Sequence, residues 1–224
     1  MSSVITAANL DRTAIERVVR DIVRRRLGLD GGPRPEVVVN ISARHMHITQ
    51  ADLEHLFGPG AQLTVFRELY QEGQFASEQT VTIIGPRHRT LTNIRILGPV
   101  RKANQIELSF TDGIAMGIDL PVRMSGDIES TPGCIVLGPK GHIEMKQGVI
   151  RALRHAHMNE QEASYYGIRD GDMMNLHVDS DCALTLEGIV ARINPAMHCE
   201  VHLDTDEGNA AHLTGARGVE LYKA

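Results

Sequence analysis

Hydrophobic positions along the chain follow two different periods. Over residues 11–27, Ile15, Val18, Val19, Ile22 and Val23 recur at helical spacing, with Arg17, Arg20, Arg24 and Arg25 mostly on the opposite side. Thr13 and Glu16 have capping-box spacing and Gly28 can close the end, after which Asp30-Gly-Gly-Pro-Arg-Pro35 has the composition of a linker. The pattern predicts an amphipathic helix tied to a separate body. Its apolar face has to be buried against that body or against a partner.

From residue 37 onward the period shortens. Apolar runs at 37–41, 80–84, 90–97, 105–108, 134–137, 174–178, 184–192 and 200–203 read as strands, divided by turns containing Gly and Pro. Short helices are predicted over 48–57, with Thr49 as cap, and over 159–166. The expected class is mainly β with short helices, α+β. Aromatic residues make up 4% of the chain and Trp is absent, so the cores must be built from Val, Ile, Leu and Met. A length of 224 residues suits two modest domains.

The chemistry-bearing pattern is a repeat. Arg44-His-Met-His47 returns as Arg154-His-Ala-His157, and setting Pro99 against Pro195 with one gap lays Gln105-Ile-Glu-Leu-Ser109 on Glu200-Val-His-Leu-Asp204. Imidazoles two apart on an extended chain project from the same side and can grip one ion. Glu107 and His202 then fall at equivalent third positions. The expectation is two metal sites in two related halves, His45, His47 and Glu107 in one and His155, His157 and His202 in the other. Three protein ligands leave a coordination position open, as in a catalytic site; zinc suits imidazole with carboxylate best, and cobalt or nickel also bind such sets.

Charge and motif content narrow the classes. A net charge of −5 and a pI near 6.1 supply no basic field for nucleic acid or an anionic membrane. Cys134, Cys182 and Cys199 form no CxxC pair, which argues against a disulfide framework or a cysteine zinc ribbon and for a reducing compartment. No apolar run approaches the roughly 20 residues of a membrane span, and a soluble, intracellular protein is expected. Neither GxxxxGKS nor GxSxG occurs, so P-loop hydrolysis and covalent acyl-enzyme chemistry have no support. Arg95 and Arg101 bracket Gly98-Pro99 just before the strand of Glu107, and guanidinium forks there are matched to phosphate. His55, His88, His142, His177, His198 and His212 have no repeated partner and are assigned no role.

Taken together, Asn40-Ile-Ser-Ala-Arg-His-Met-His47, Arg95-Ile-Leu-Gly-Pro-Val-Arg101, Gln105-Ile-Glu-Leu-Ser109, Arg154-His-Ala-His157 and Val201-His-Leu-Asp-Thr205 closely resemble the phosphate propanoyltransferase family of the propanediol-utilisation type. The resemblance runs from Pro35 to the C-terminus. It implies two β-barrels capped by short helices, two zinc ions, and reversible conversion of acyl-CoA (propanoyl-CoA or acetyl-CoA) and inorganic phosphate into acyl phosphate and CoA. It puts the metal ligands on the six residues already named, the phosphate-binding arginine on Arg101, and CoA contacts on Ser42, Arg95, Leu97 and Asn209. Arg67 stands where the family can use Lys.

The expected boundaries are 1–34 for the helix and linker, 35–118 for the first β-barrel half and 119–224 for the second, with middle strands open to exchange between halves. The resemblance also implies that residues 11–27 bind shell or core proteins of a bacterial microcompartment, placing a homo-oligomer in its lumen within the cytoplasm. The competing expectation is a zinc-dependent acyl or thioester hydrolase, which directs water instead of phosphate onto the same centre.

Overall fold

Alternation along short strands sorts this chain into a core face and a site face. The computed structural model describes residues 34–224 together with Ile15, Val18, Val19, Ile22, Val23 and Arg26. The rest of the expected helix over 11–27 and its linker lie outside the described residues. The six described positions there are helical, and their five apolar side chains stand about half exposed.

The elements in chain order are β1 (Val38–Ser42), β2 (His45–His47), α1 (Gln50–Phe57), β3 (Val65–Glu68), β4 (Phe75–Ile84), β5 (Thr90–Gly98), β6 (Gln105–Glu107) and α2 (Phe110–Met116). They continue through β7 (Val122–Arg123), β8 (Cys134–Leu137), β9 (His142–Met145), β10 (Val149–Ala152), β11 (His155–Met158) and α3 (Glu160–Tyr166). The chain closes with β12 (Met173–Asp179), β13 (Leu184–Ile193), β14 (Glu200–Asp204), α4 (Thr205–Ala210), a 3-10 turn (Leu213–Gly215) and β15 (Gly218–Lys223). The class is mainly β, as expected, arranged as two curled half-barrel sheets.

A nine-stranded sheet runs β7-β10-β6-β2-β5-β4-β8-β9 with β3 on β4, and a six-stranded sheet runs β1-β14-β11-β13-β12-β15. Each has its own apolar core. Met46, Ile83, Ile94, Ile96, Ile106 and Val136 centre the first, and Ala156, Met158, Met174, Leu176, Val201 and Leu203 the second. Within β2 the neighbours of Met46 are two histidines, and within β14 the neighbours of Val201 are Glu200 and His202. Because successive side chains of a strand point to opposite faces, burying the apolar set turns the polar set to the other side.

Strand order departs from chain order at two equivalent places. β1, which precedes the first His pair, pairs in parallel with β14 of the other sheet, placing Asn40 beside His202. β10, which precedes the second His pair, pairs in parallel with β6, placing Ile150 beside Glu107. Each sheet thus lends the strand before its own His pair to the strand bearing the other sheet's third ligand.

Four caps fix where the ligand strands end. Thr49, Ser109, Asn159 and Asp204 each stand two residues past a ligand and accept the amide three residues on, so every ligand strand passes straight into a helix. The helices predicted over 48–57 and 159–166 are α1 and α3. The helices α2 and α4, of seven and six residues, went unpredicted although Ser109 with Asp112 and Asp204 with Glu207 have capping-box spacing.

The two sheets are also joined by a buried ion cluster. Arg151 on β10 reaches Asp204, at the end of β14, at 2.7 Å and Glu207, in the first turn of α4, at 2.6 Å, and lies over the Phe110 ring. Removing one member leaves the others as uncompensated buried charge, which costs about 3–5 kcal/mol. Arg151→Met is therefore expected to lower unfolding stability by about that amount in a urea titration. Arg217→Ala, which breaks ion pairs with Asp179 and Asp181 that stand in solvent, should leave the midpoint at the wild-type value.

Candidate metal centre

The first His of each pair is held by the chain just upstream. His45 Nδ1 lies 2.9 Å from the Ala43 carbonyl and His155 Nδ1 lies 2.8 Å from the equivalent Leu153 carbonyl. A carbonyl only accepts, so each ring carries its proton on Nδ1 and turns the Nε2 lone pair the other way. The third position comes from the antiparallel neighbour, which sets Glu107 directly opposite His45 and His202 directly opposite His155.

The six residues expected from the repeat therefore gather into two groups. In the first, His45 Nε2 is 3.2 Å from His47 Nε2 and 3.5 Å from Glu107 Oε2, with His47 Nε2 3.9 Å from Glu107 Oε1. In the second, the His155, His157 and His202 rings have centroids 4.8 to 5.1 Å apart. Within each group one donor atom per residue lies within 4.8 Å of the others. Two imidazoles and a carboxylate, or three imidazoles, converging on one point inside the protein form the donor chemistry of a divalent site.

Electrostatics keep these donors available. Burial and then the neighbouring His202 push the His155 ring down to about 4, and burial followed by His155 and His202 takes His157 to about 3. Burial and then His45 likewise take His47 to about 3. Burial opposes ionisation of Glu107, but the His45 and His47 imidazoles outweigh it and hold the carboxyl well below the usual range. Against the same burial, Glu107 raises His45. Neutral His47, His155 and His157 and an ionised Glu107 are the forms a metal requires, whereas His45, raised by Glu107, is the ring that has to give up a proton as an ion binds.

Both groups open on one cavity of about 860 Å³. Ser42, Arg67, Arg95, Leu97 and Arg101 line it too, whereas Asn209 sits exposed on α4 outside the lining. Arg95 donates to the Ser77 carbonyl and lies over the exposed Phe66 ring. The Arg101 backbone donates to the Ile48 carbonyl at 2.8 Å, beside His47, and its guanidinium to Ser125 Oγ at 3.1 Å. Arg192 also lines the cavity, opposite His157 in register. Burial and then Arg192 bring Arg101 below its ordinary value while Glu107 opposes them, so two cations face the same space.

Several residues of this centre escaped sequence reasoning. Arg192 ends a β13 run that reads as ordinary strand, and only its register beside His157 reveals it. Buried Gln71 and Glu200, joined by exposed Asn40, form a polar group behind His202, assembled from three distant segments. Burial opposes ionisation of Glu200, yet the contact with His202 and the donors Asn40 and Gln71 bring it to about 2. The arginine of each Arg-His-x-His motif acts outside the donor groups. Arg44 pairs with Asp112 and Arg154 with Glu207, each tying the motif to the capping box that follows the third ligand.

The chain is similar to known proteins over most of its length. The family profile described as Phosphate propanoyltransferase matches residues 38–214. A protein named Phosphate propanoyltransferase from Planctopirus limnophila is 49% identical, over 99% of this chain and 96% of its own. Proteins of that name from Thermotoga maritima and Salmonella typhimurium are 46% and 38% identical, over 80% and 90% of this chain and 85% and 93% of theirs.

Two cations facing one cavity supply the charge that an anion site needs. Inorganic phosphate is expected to raise the melting temperature, since a ligand at about a hundred times its Kd stabilises by about 2.7 kcal/mol. Arg101→Ala and Arg192→Ala should each remove most of that rise in differential scanning fluorimetry. A full rise retained by both variants would place the anion elsewhere.

Proposed function

The chain belongs to the phosphate propanoyltransferase family and is a phosphate acyltransferase, and from that premise we propose that it interconverts propanoyl-CoA or acetyl-CoA plus inorganic phosphate with the acyl phosphate plus CoA by direct transfer at the two-group cavity. The observation that carries this reading is the opening of both ligand groups and of Arg101 and Arg192 onto one space. Reactants bound there meet without a covalent acyl-enzyme. No thiol competes for that role: burial pushes Cys134 and Cys199 up to about 12, and exposed Cys182 does not line the cavity.

In the forward direction a phosphate oxygen forms a bond to the acyl carbonyl carbon, the carbon–sulfur bond breaks, and the electron pair leaves with the CoA sulfur. Arg101 and Arg192 hold the phosphate and screen its charge, so that its oxygen can approach the carbonyl. Ser125 fixes the Arg101 fork, and the Ile48 carbonyl fixes its backbone. Along the cavity lining, Arg67 and Arg95 supply charge for the phosphates of CoA, with Ser42 and Leu97 also in that lining. Asn209, exposed on α4, reaches CoA only from outside the cavity lining. His45, His47 and Glu107 would hold one zinc ion and His155, His157 and His202 a second. When bound, such ions supply Lewis-acid stabilisation for a thiolate or a carbonyl oxygen.

The N-terminal segment carries the second part of the proposal. Ile15, Val18, Val19, Ile22 and Val23 are helical and about half exposed, an apolar stripe suited to packing against microcompartment shell or core proteins and to self-association. This reading places the enzyme in a microcompartment lumen.

Chelation of the purified protein is expected to abolish thiol release from propanoyl-CoA, and added zinc to restore it. Omitting phosphate should stop thiol release altogether; release that continues at the same rate without phosphate marks a hydrolase. Deleting residues 1–33 should leave specific activity intact while ending co-purification with microcompartment particles, and unaltered packaging would refute the role given to that segment.

A further inference from the structure

We infer that Gln105 and Glu200 are equivalent positioning residues, each chemically matched to the third ligand of its own half. They stand two residues before Glu107 and His202 on β6 and β14, opposite His47 and His157. Strand alternation puts each on the same face as the ligand it precedes.

A carboxylate ligand only accepts, so a residue that orients it must donate. Gln105 Nε2 donates to Glu107 Oε1 at 2.7 Å, and the amide is itself pinned by Ser125 Oγ at 2.9 Å and by the Gly126 amide at 2.7 Å. An imidazole ligand has the opposite need, an acceptor for its N–H. Glu200 Oε2 lies 3.1 Å from His202 Nε2, with its two oxygens held by Asn40 at 2.5 Å and Gln71 at 2.6 Å. His202 Nε2 is buried and makes no other hydrogen bond, so this 3.1 Å approach is taken as the place of an Nε2–H···Oε2 bond, with Nδ1 left to carry the lone pair. Gln105 and Glu200 are each 2% exposed, so water does not stand in for either.

The two halves therefore differ in a coupled way. Where the ligand is Glu, the residue behind it is a donor; where the ligand is His, the residue behind it is a charged acceptor. Each half keeps one carboxylate, as a ligand in the first and one step behind the ligand in the second. A metal held by three neutral imidazoles is thereby compensated in charge without losing its open position.

The inference rests on the zinc reading, and zinc itself, competed against a chromophoric chelator, is the probe. The full-length wild type is expected to hold two zinc ions. Glu200→Gln, which removes the charge at constant size, and Gln105→Met, which removes the donor, should each weaken one ion by about 10–100-fold and leave the other unchanged. The variants that separate orientation from simple charge are pairwise. At about pH 8, His202→Glu alone sets two ionised carboxylates side by side and should lose the second ion. His202→Glu combined with Glu200→Gln rebuilds the first half's pairing and should regain it. Equal zinc affinity in those two variants, or wild-type binding of both ions by Glu200→Gln, overturns the inference. If circular dichroism with EDTA shows that Glu200→Gln does not fold, Gln105→Met decides by the same criterion. A wild type that binds no zinc is a different outcome, sinking the metal reading and this inference with it.

Discussion

Two cross-strand pairs, His45 opposite Glu107 and His155 opposite His202, are the contacts on which the centre depends. Directly opposed residues bring their Cβ atoms to about 4.5–5.5 Å, close enough for side chains to share one ion, and a slip of one residue turns every side chain to the other face. The register is locked from behind. Met46 faces Ile106 and Ala156 faces Val201 across the same strand pairs, all fully buried, so the apolar core and the polar site are two readings of one alignment. A change that slid the strands would expose the cores as it dispersed the ligands.

The strand exchange turns two such pairs into one centre. Since β1 leaves the six-stranded sheet to feed the first His pair and β10 leaves the nine-stranded sheet to feed the second, the connecting residues Ala43 and Leu153 lie at the junction. Their carbonyls accept from His45 and His155, so the crossing points orient the first ligand of each group. Arg151 spans the same junction through Asp204 and Glu207. An independent pair of barrels has no reason to face its sites toward one another; reciprocal exchange imposes it.

Charge is distributed on the same plan. Arg101 and Arg192 enter the cavity from the two halves, while Glu107 and Glu200 sit at or behind the donor groups. Cations thus stand toward the open space from which an anionic reactant would arrive, and anions stand at or behind the groups that would hold metal ions. The duplication supplied two copies of one backbone arrangement, and substitution at four strand positions made the copies chemically different.

Much of this was legible in the chain. The period-two runs marked most of the longer strands, Thr49 and Asn159 marked two helix starts, and the duplicated Arg-His-x-His with its aligned third positions picked out the six donors that the structure brings together. These succeed because alternation and capping are local rules, and because a repeat carries long-range information in plain sight. Short strands such as β7 escaped because so few residues cannot display a period, and the short helices α2 and α4 escaped although their capping boxes stood in the chain. Arg192, Asn40, Gln71 and Glu200 escaped for another reason: each takes its meaning from a neighbour on a different strand. The amino-acid sequence by itself determined which residues could bind a metal and that there would be two unequal sets. Only the tertiary structure decided that both sets open on one cavity and which buried groups stand behind them, because strand exchange and register arise from the packing of the whole chain.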